Sequence, residues 1–488
     1  MEGFKFIADG WVWYKKSDYA PSYLNHLRRV LTCYPSATSE HSKGDPNPIR
    51  LYEERRDVLG VPRGWFMDQP VAKSSAIIDR VSDGAPMSAE IKSLMRFDGP
   101  FREQAHALSI MNDYMEDKGL GGFLLQAGCG FGKTNTSLEL AFRNGNRTLI
   151  LVHKEFFLRQ WRERIETFFQ GARIGYIRQD RCDYEGCDFV IGMLQSIAKD
   201  DGEGSKYDPS MYRAFGMVIS DECHRIGAQS WSAIVPRFTA RWRVGLTATP
   251  RRKDDAEMVF FKHIGPIVYR AQTAALVPEV RVLETASVLS GRKMYGRYKP
   301  ARSLSHTEVL GQLVKDDERN RLMAEMIARA VTSGRKVMVI SERLKHLDAI
   351  KEKFLDEVLR LDYELDPDVE VGYMVGSRSE DQLKVAEQAN LILATKQMVE
   401  EGLDVPAIDV LVLSTPMSDV EQTVGRVRRH CKPSEDKCKR LCPWRAGECE
   451  GKPHPIVVDV HDPNIPQATR KVRRRNEFYN KIKGGSNG

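Results

Sequence analysis

The sequence of 488 residues lacks any long apolar run. No stretch reaches the ~18 apolar residues that a membrane-spanning helix needs. The N-terminal stretch MEGFKFIADGWVWYKK interrupts its aromatic residues with charged ones, so it lacks the continuous apolar region of a signal peptide. These absences predict a soluble, cytoplasmic protein with no membrane partner.

Acidic residues are scarce near the C-terminal end. Residues 425–488 contain sixteen Lys/Arg and seven Asp/Glu, a net charge of +9, whereas the whole chain carries +7. A basic block on a nearly neutral body favours a polyanionic partner, and a solvated charged surface is the alternative. The tail ATRKVRRRNEFYNKIK is basic and helix-like, and it could either follow phosphates or pack on the preceding domain.

The nine cysteines are unevenly distributed. Five are scattered, as is typical of reduced cytosolic thiols. The other four, Cys431, Cys438, Cys442 and Cys449, fall within nineteen residues. Zinc prefers four thiolate or imidazole ligands with one closely spaced pair, which Cys438 and Cys442 provide. This spacing predicts a zinc site, with an iron–sulfur cluster or unligated thiols as the alternatives.

Short apolar segments alternate with amphipathic ones from about residue 98 onward. Segments such as GGFLLQA, RTLILV and FGMVIS are typical of buried strands, and FFLRQWRERIETFF is typical of a helix. The alternation predicts an α/β fold with parallel sheets covered on both faces. It is lost over residues 271–315 and then resumes. We therefore expect an accessory domain at 1–95, a candidate for DNA binding, with a hairpin at Asp9–Gly10. A first α/β domain (96–270), a linker (271–315) and a second α/β domain (316–488) follow. The second α/β domain contains a Cys-rich insertion (430–452) and a basic tail.

The segment AGCGFGKT at 127–134 follows a predicted strand and precedes a predicted helix. Glycines in such a loop let backbone N–H groups approach phosphates, and the helix N-terminus favours an anion. Lys133 would contact the β- and γ-phosphates, and the Thr134 hydroxyl would bind Mg²⁺. An ordinary tight turn is the alternative.

A second signal, a pair of acidic residues, follows another predicted strand. In VISDECHR, Asp221 and Glu222 stand at the carboxyl end of that strand, where ligands bind in open α/β sheets. Asp221 would hold Mg²⁺, and Glu222 would orient or deprotonate the attacking water. An acidic pair by itself more often caps a helix, but here it follows a phosphate loop.

The order AGCGFGKT, DECH, GLTATP, EEGLDVP and QTVGRVRR resembles that of superfamily 2 helicases and translocases, over about residues 98–460. LTATPRRKD (246–254), DDERN (316–320) and LRQW (158–161) resemble the UvsW/XPB branch, which includes phage branch-migration helicases. The resemblance implies two tandem RecA-like domains that bind ATP in the cleft between them. It also implies a host-cytoplasm location if the chain is phage-encoded.

The resemblance also implies roles for residues that match the motifs of the superfamily. Arg426 and Arg429 resemble arginines that reach the γ-phosphate from the second domain, where such a residue accelerates phosphoryl transfer by ~10³–10⁵. The alternative for these arginines is an exposed basic helix. The remaining matches are Gln104 with the adenine-reading glutamine; Gly130, Gly132, Gly402 and Asp404 with nucleotide-binding positions; and His224, Thr247, Thr249 and Gln422 with residues that couple the nucleotide to nucleic acid.

Together, these features predict an ATP-dependent DNA helicase or translocase that acts on branched or forked DNA, in phage replication, recombination or repair. We expect a monomer that uses ATP, Mg²⁺ and Zn²⁺, and RNA is left open as a substrate. The alternatives are the motor subunit of a restriction or defence system, and a nucleic-acid sensor that hydrolyses ATP without unwinding.

Overall fold

The chain divides into two compact units, Met1–Thr273 and Ala274–Gly488. Each contains a mainly parallel sheet with helices, which confirms the predicted α/β class. Among the described helices, none combines the length and the apolar character needed to cross a membrane. The structure, a computed structural model, describes residues 5–36, 47–98, 101–128, 131–199, 206–225, 232–248, 250, 255–271, 276–294, 297–360, 371–376, 378–400, 405, 407–428 and 453–484.

The first unit begins with a small, mostly antiparallel sheet. Its elements are β1 (Lys5–Ala8), β2 (Trp11–Lys15), α1 (Pro21–Val30), β3 (Thr32–Cys33), β4 (Ile49–Arg50), β5 (Glu53–Glu54), β6 (Val58–Pro62), α2 (Arg63–Met67), α3 (Pro70–Ser74) and β7 (Ala76–Asp79). Five strands lie in the order β5-β6-β2-β1-β7. The hairpin predicted at Asp9–Gly10 is confirmed, because β1 and β2 pair antiparallel and the Asp9 carboxylate accepts the backbone N–H of Trp11 at 2.8 Å.

An eight-stranded sheet follows in the same unit. Its strands lie in the order β13-β12-β14-β10-β15-β16-β9-β17, and every neighbouring pair except β12 and β13 is parallel. The strands expected at GGFLLQA, RTLILV and FGMVIS are present as β9, β10 and β15. The elements are β8 (Lys92–Ser93), α4 (Arg102–Lys118), β9 (Gly121–Gln126), α5 (Lys133–Asn144), β10 (Thr148–Val152), α6 (Glu155–Phe168), β11 (Phe169–Gln170), β12 (Ile174–Arg178), β13 (Arg181–Cys182), β14 (Phe189–Met193), α7 (Leu194–Ile197), β15 (Met217–Ser220), β16 (Trp242–Thr247), α8 (Met258–His263) and β17 (Ile267–Arg270).

Two buried arginines join the small sheet to the large one. Arg243 of β16 donates to the carbonyl oxygens of Gly10 at 2.8 Å and Phe238 at 2.9 Å. Arg63 of α2 donates to the carbonyl oxygens of Asp9 at 2.9 Å and Ala240 at 2.6 Å. Because charged donors form stronger hydrogen bonds than neutral ones, these contacts fix the N-terminal sheet on the larger sheet.

The second unit is built on a six-stranded, all-parallel sheet with the strand order β18-β25-β24-β21-β23-β22. Strand β18 lies within the segment expected to be a linker, but it pairs with β25 at the edge of the sheet. The elements are β18 (Glu279–Glu284), β19 (Arg292–Met294), β20 (Arg297–Lys299), α9 (His306–Leu313), α10 (Asp317–Thr332), β21 (Val337–Ser341), α11 (Leu344–Arg360), β22 (Val371–Met374), α12 (Glu380–Ala386), β23 (Leu391–Thr395), α13 (Lys396–Glu400), β24 (Val410–Leu413), α14 (Glu421–Val427), β25 (Ile456–His461) and α15 (Pro466–Gly484).

The segment DDERN, at the start of α10, is part of the core of the second unit. Asp316 caps the helix by accepting the backbone N–H of Arg319 at 3.0 Å. The Arg319 guanidinium is fully buried and makes two hydrogen bonds with Asp462, of 2.7 and 3.2 Å. It also donates to the carbonyl oxygen of Ser414 at 2.8 Å, and Thr285 donates to Asp462 at 2.7 Å. This segment therefore holds four parts of the second unit together.

Candidate functional site

The motif residues of the first unit converge because their strands are neighbours. Strands β15, β16 and β9 lie side by side and parallel, so the segments that follow them share one edge of the sheet. The N–H of Ala127, after β9, donates to the carbonyl oxygen of Thr247 at the end of β16, at 3.0 Å. This edge is where open α/β sheets bind ligands.

The phosphate loop leads directly into α5. Gly132 precedes the helix with a φ of +92°, in the left-handed region that glycine adopts without strain. The helix then begins at Lys133 and presents its first N–H groups to the loop, a favourable arrangement for an anion. The Lys133 ammonium donates to the carbonyl oxygen of Ala127 at 2.9 Å. Thr134 is in the first turn of α5, and Gly130 lies outside the described residues.

The acidic pair lies beside that lysine. Asp221 is buried, and its carboxylate accepts the indole N–H of Trp161 at 2.9 Å. Burial and the nearby Glu222 raise the pKa of Asp221 to about 6, although Trp161 and Lys133 act in the opposite direction. Glu222 has a φ of +45° and places its carboxylate 3.8 Å from the Lys133 ammonium. The structure therefore brings Lys133, Asp221 and Glu222 together.

A chain of polar contacts leads from the acidic pair to β16. Nδ1 of His224 lies 3.4 Å from the Glu222 carboxylate and 2.9 Å from the Thr247 hydroxyl. Thr247 is the last residue of β16 and is buried. These contacts physically connect the two residues expected to couple nucleotide and nucleic acid. Thr249 lies outside the described residues.

Gln104 contacts the phosphate loop. Its side-chain amide on α4 donates to the carbonyl oxygen of Phe131 in the loop. The amide oxygen is buried and has no hydrogen-bond partner among the described residues. Such an acceptor is costly to leave unpaired, so the site favours a ligand with an N–H donor. An adenine amino group has that chemistry.

Aromatic residues that the sequence motifs do not mark lie next to this region. The rings of Phe131 and Tyr269 are 6.4 Å apart between centroids, and His106 meets Tyr269 edge to face at 5.8 Å. Tyr269 is on β17, which pairs with β9 directly before the loop. No sequence motif marks β17, and its place beside the loop follows from its pairing with β9.

The residues that the sequence motifs select in the second unit are described in part. Arg426 and Gln422 lie on α14, and the buried Val424 and Val427 fix that helix on its sheet. Arg428, which the motif comparison did not select, donates to the carbonyl oxygen of Leu276 at 3.0 Å. Three other predicted residues lie outside the described residues: Arg429, Gly402 and Asp404.

The four cysteines predicted to bind zinc, Cys431, Cys438, Cys442 and Cys449, also lie outside the described residues. Within the described part of the chain, no group of three or more His, Cys, Asp or Glu residues is arranged to hold a metal ion. Of the described cysteines, Cys33 and Cys223 are buried, whereas Cys182 and Cys187 are partly exposed free thiols. Burial raises the pKa of the Cys223 thiol, so this cysteine within DECH stays protonated.

Comparison with known proteins agrees with this site. The family described as "Type III restriction enzyme, res subunit" matches residues 99–252. A "putative helicase" of Invertebrate iridescent virus 3 is 31% identical over 239 residues, which cover 46% of this chain and 69% of that protein. The chain belongs to the superfamily 2 helicases, and within them to the ResIII helicase family.

Two further comparisons extend over most of the chain. A "putative ATP-dependent RNA helicase" of Acanthamoeba polyphaga mimivirus is 26% identical over 476 residues, covering 96% of this chain and 80% of that protein. The crystal structure of T4 UvsW covers 98% of this chain and 97% of its own, at 16% identity and a TM-score of 0.39.

Proposed function

We propose that this chain is an ATP-hydrolysing motor that moves along DNA and remodels branched DNA. The observation that carries the proposal is the contact path from Lys133 through Glu222 and His224 to Thr247. It links the residue that would hold the phosphates to the strand end expected to respond to nucleic acid. Binding or hydrolysis of ATP would thereby change the position of β16.

Binding of ATP would exchange the contacts of Lys133. Its ammonium now lies 2.9 Å from the Ala127 carbonyl oxygen and 3.8 Å from Glu222. The phosphates, with higher charge, would replace both partners and accept hydrogen bonds from the first backbone amides of α5. Glu222 would then be released to orient and deprotonate the attacking water.

The residues of the loop and the acidic pair fit a divalent cation. Burial disfavours the charged form of Asp221, and a cation beside it would restore that charge. The hydroxyl of Thr134 and the carboxylate of Asp221 would be its protein ligands. Mg²⁺ neutralises charge that develops on the transferred phosphoryl group.

We assign Arg426 and Arg429 to the γ-phosphate and Gly402 and Asp404 to nucleotide binding, with Gln422 coupling the nucleotide to the nucleic acid. These roles rest on the motif resemblance to superfamily 2 helicases. Zinc at Cys431, Cys438, Cys442 and Cys449 completes the proposed set of cofactors. A short polar insertion cannot build an apolar core, and a metal site can supply its folding energy instead.

Branched DNA is the proposed substrate because LRQW, LTATPRRKD and DDERN resemble motifs of the UvsW/XPB branch. RNA is the second candidate, because the mimivirus relative is named as an RNA helicase. The test supplies ATP and, separately, forked DNA, a four-way DNA junction, an RNA–DNA hybrid and duplex RNA. The proposal predicts strand products from the fork and the junction. Products from duplex RNA alone would replace DNA with RNA, and no product from any substrate would refute remodelling.

A further inference from the structure

The last helix, α15, is held in one orientation by buried polar contacts. Arg475 lies 2.9 Å from the Asp459 carboxylate and donates to the carbonyl oxygen of Met417 at 2.6 Å. The hydroxyl of Tyr479 donates to the same Asp459 oxygen at 3.1 Å. Because these residues face the second sheet, the opposite side of α15 is fixed toward solvent. The basic tail thus packs on its own unit through one face.

The solvent face of α15 is strongly basic. Its exposed charged residues are Arg470, Arg473, Arg474, Lys481 and Lys483, against the single acidic residue Glu477. Arg473 lies 3.6 Å from Glu477, but both side chains are mostly exposed, at 88% and 67%, so the pair stabilises little. Arg470 and Arg474 are like charges four residues apart on the helix, an unfavourable spacing. The contacts of these three arginines therefore add little to the stability of α15.

A second basic element lies next to the start of α15. Residues 285–307 contain five Lys/Arg and no Asp/Glu. Within them β19 and β20 form a two-stranded antiparallel hairpin. An isolated hairpin of two strands is marginally stable in water.

The hairpin is tied to α15 by the residues that follow it. The Gln467 amide, in the first turn of α15, donates to the carbonyl oxygen of Ala301 at 2.9 Å and to that of Leu304 at 3.4 Å. Ala301 is two residues beyond the end of β20. The two basic elements therefore adjoin within the second unit.

We infer that the solvent face of α15 is a binding surface for the sugar–phosphate backbone of a nucleic-acid duplex. None of the helicase motifs contributes to this surface. From Arg470 to Lys483 the helix rises about 20 Å, the length of roughly six base pairs. The inference rests on the proposed function in one respect, since the occupant is a duplex arm of the motor's own substrate.

The test compares two triple variants with equal changes in net charge. The first is Arg470→Gln, Arg474→Gln and Lys481→Gln on α15. The matched control is Arg321→Gln, Arg329→Gln and Lys353→Gln, on α10 and α11, where the three cations lie within ion-pair distance of Glu318, Glu325 and Asp317. Affinity for a short fluorescent DNA duplex is measured by anisotropy over a range of salt concentrations, and the thermal midpoint of each variant verifies folding.

Each phosphate contact contributes about −0.9 to the slope of log affinity against log salt. The α15 variant should therefore flatten the slope by up to about 3, and the control should leave it unchanged. Equal slopes for both variants at unchanged thermal midpoints would overturn the inference. The inference would also be overturned if the α15 variant lost binding to phosphatidylserine vesicles while the salt dependence of its DNA binding equalled that of the unmodified chain. ATP hydrolysis by the unmodified chain is measured in parallel, because its absence would refute the motor, whereas the slopes alone decide the surface.

Discussion

Removing one partner of the buried Arg319–Asp462 pair should destabilise the second unit severely. Arg319→Met leaves the Asp462 carboxylate buried with only the Thr285 hydroxyl, and the Ser414 carbonyl loses its donor. Both charged side chains have no exposed surface, so solvent cannot compensate. Breaking such a pair costs about 3–5 kcal/mol, most of it from the uncompensated charge. We expect that loss in the free energy of unfolding by urea, followed by circular dichroism.

The double variant Arg319→Met with Asp462→Asn separates the charge from the packing. It removes both charges and keeps an oxygen for Thr285, so its cost should fall below the sum of the single variants by about 2 kcal/mol or more. An exposed pair, Arg329 and Glu325, is the control and should show coupling below about 1 kcal/mol. Additive single costs, or single costs below about 1 kcal/mol, would refute the assignment of DDERN as a core segment.

Three further predictions concern pH, packing and zinc. Burial lowers the pKa of both His263 and His346 to about 3. Only the unfolded chain therefore gains their protons as the pH falls below 6.5, and each histidine should cost roughly 2–3 kcal/mol of stability by pH 4.5 in acid-unfolding measurements. Stability that does not change over this pH range would contradict this. Gly10→Ala would place a Cβ 1.7 Å from the Pro236 carbonyl oxygen and should lower the unfolding free energy by at least ~1–3 kcal/mol. The control is Gly119→Ala, whose Cβ would have nothing within 4 Å, so that it reports the cost of positive φ alone. Equal losses of unfolding free energy in the two variants would exclude the clash. Elemental analysis should find one zinc per chain, lost in Cys438→Ser, and metal-free protein with four titratable thiols would exclude the site.

The alternation of apolar and amphipathic segments predicted most of the two parallel sheets, because strands buried on both faces are continuously apolar. Strand β18 was missed because it lacks that continuous apolar pattern. Its sequence, EVRVLE, alternates and stays mostly exposed at the edge of the sheet, and its partner β25 begins at Ile456, far along the chain. Edge strands carry the weakest local signal.

Motif spacing predicted which residues of the first unit meet, since parallel strands bring their carboxyl ends to one edge. It did not predict what holds that edge. Trp161 lies in LRQW, which indicated only a branch of the superfamily, yet its indole holds Asp221. Arg243 looks like an ordinary charge within a strand, but its carbonyl partner Gly10 is 233 residues away. Such partners follow from tertiary contacts that no local pattern contains.

Hydrolysis of ATP by Glu222→Gln, measured with and without DNA, tests the central claim most directly. The substitution keeps the size of the side chain and removes the base, while Lys133 and Asp221 still bind nucleotide. The account predicts that the unmodified chain hydrolyses ATP faster with DNA, and that the variant binds a fluorescent ATP analogue but loses about 10²-fold or more in rate. Turnover near that of the unmodified chain would contradict the account.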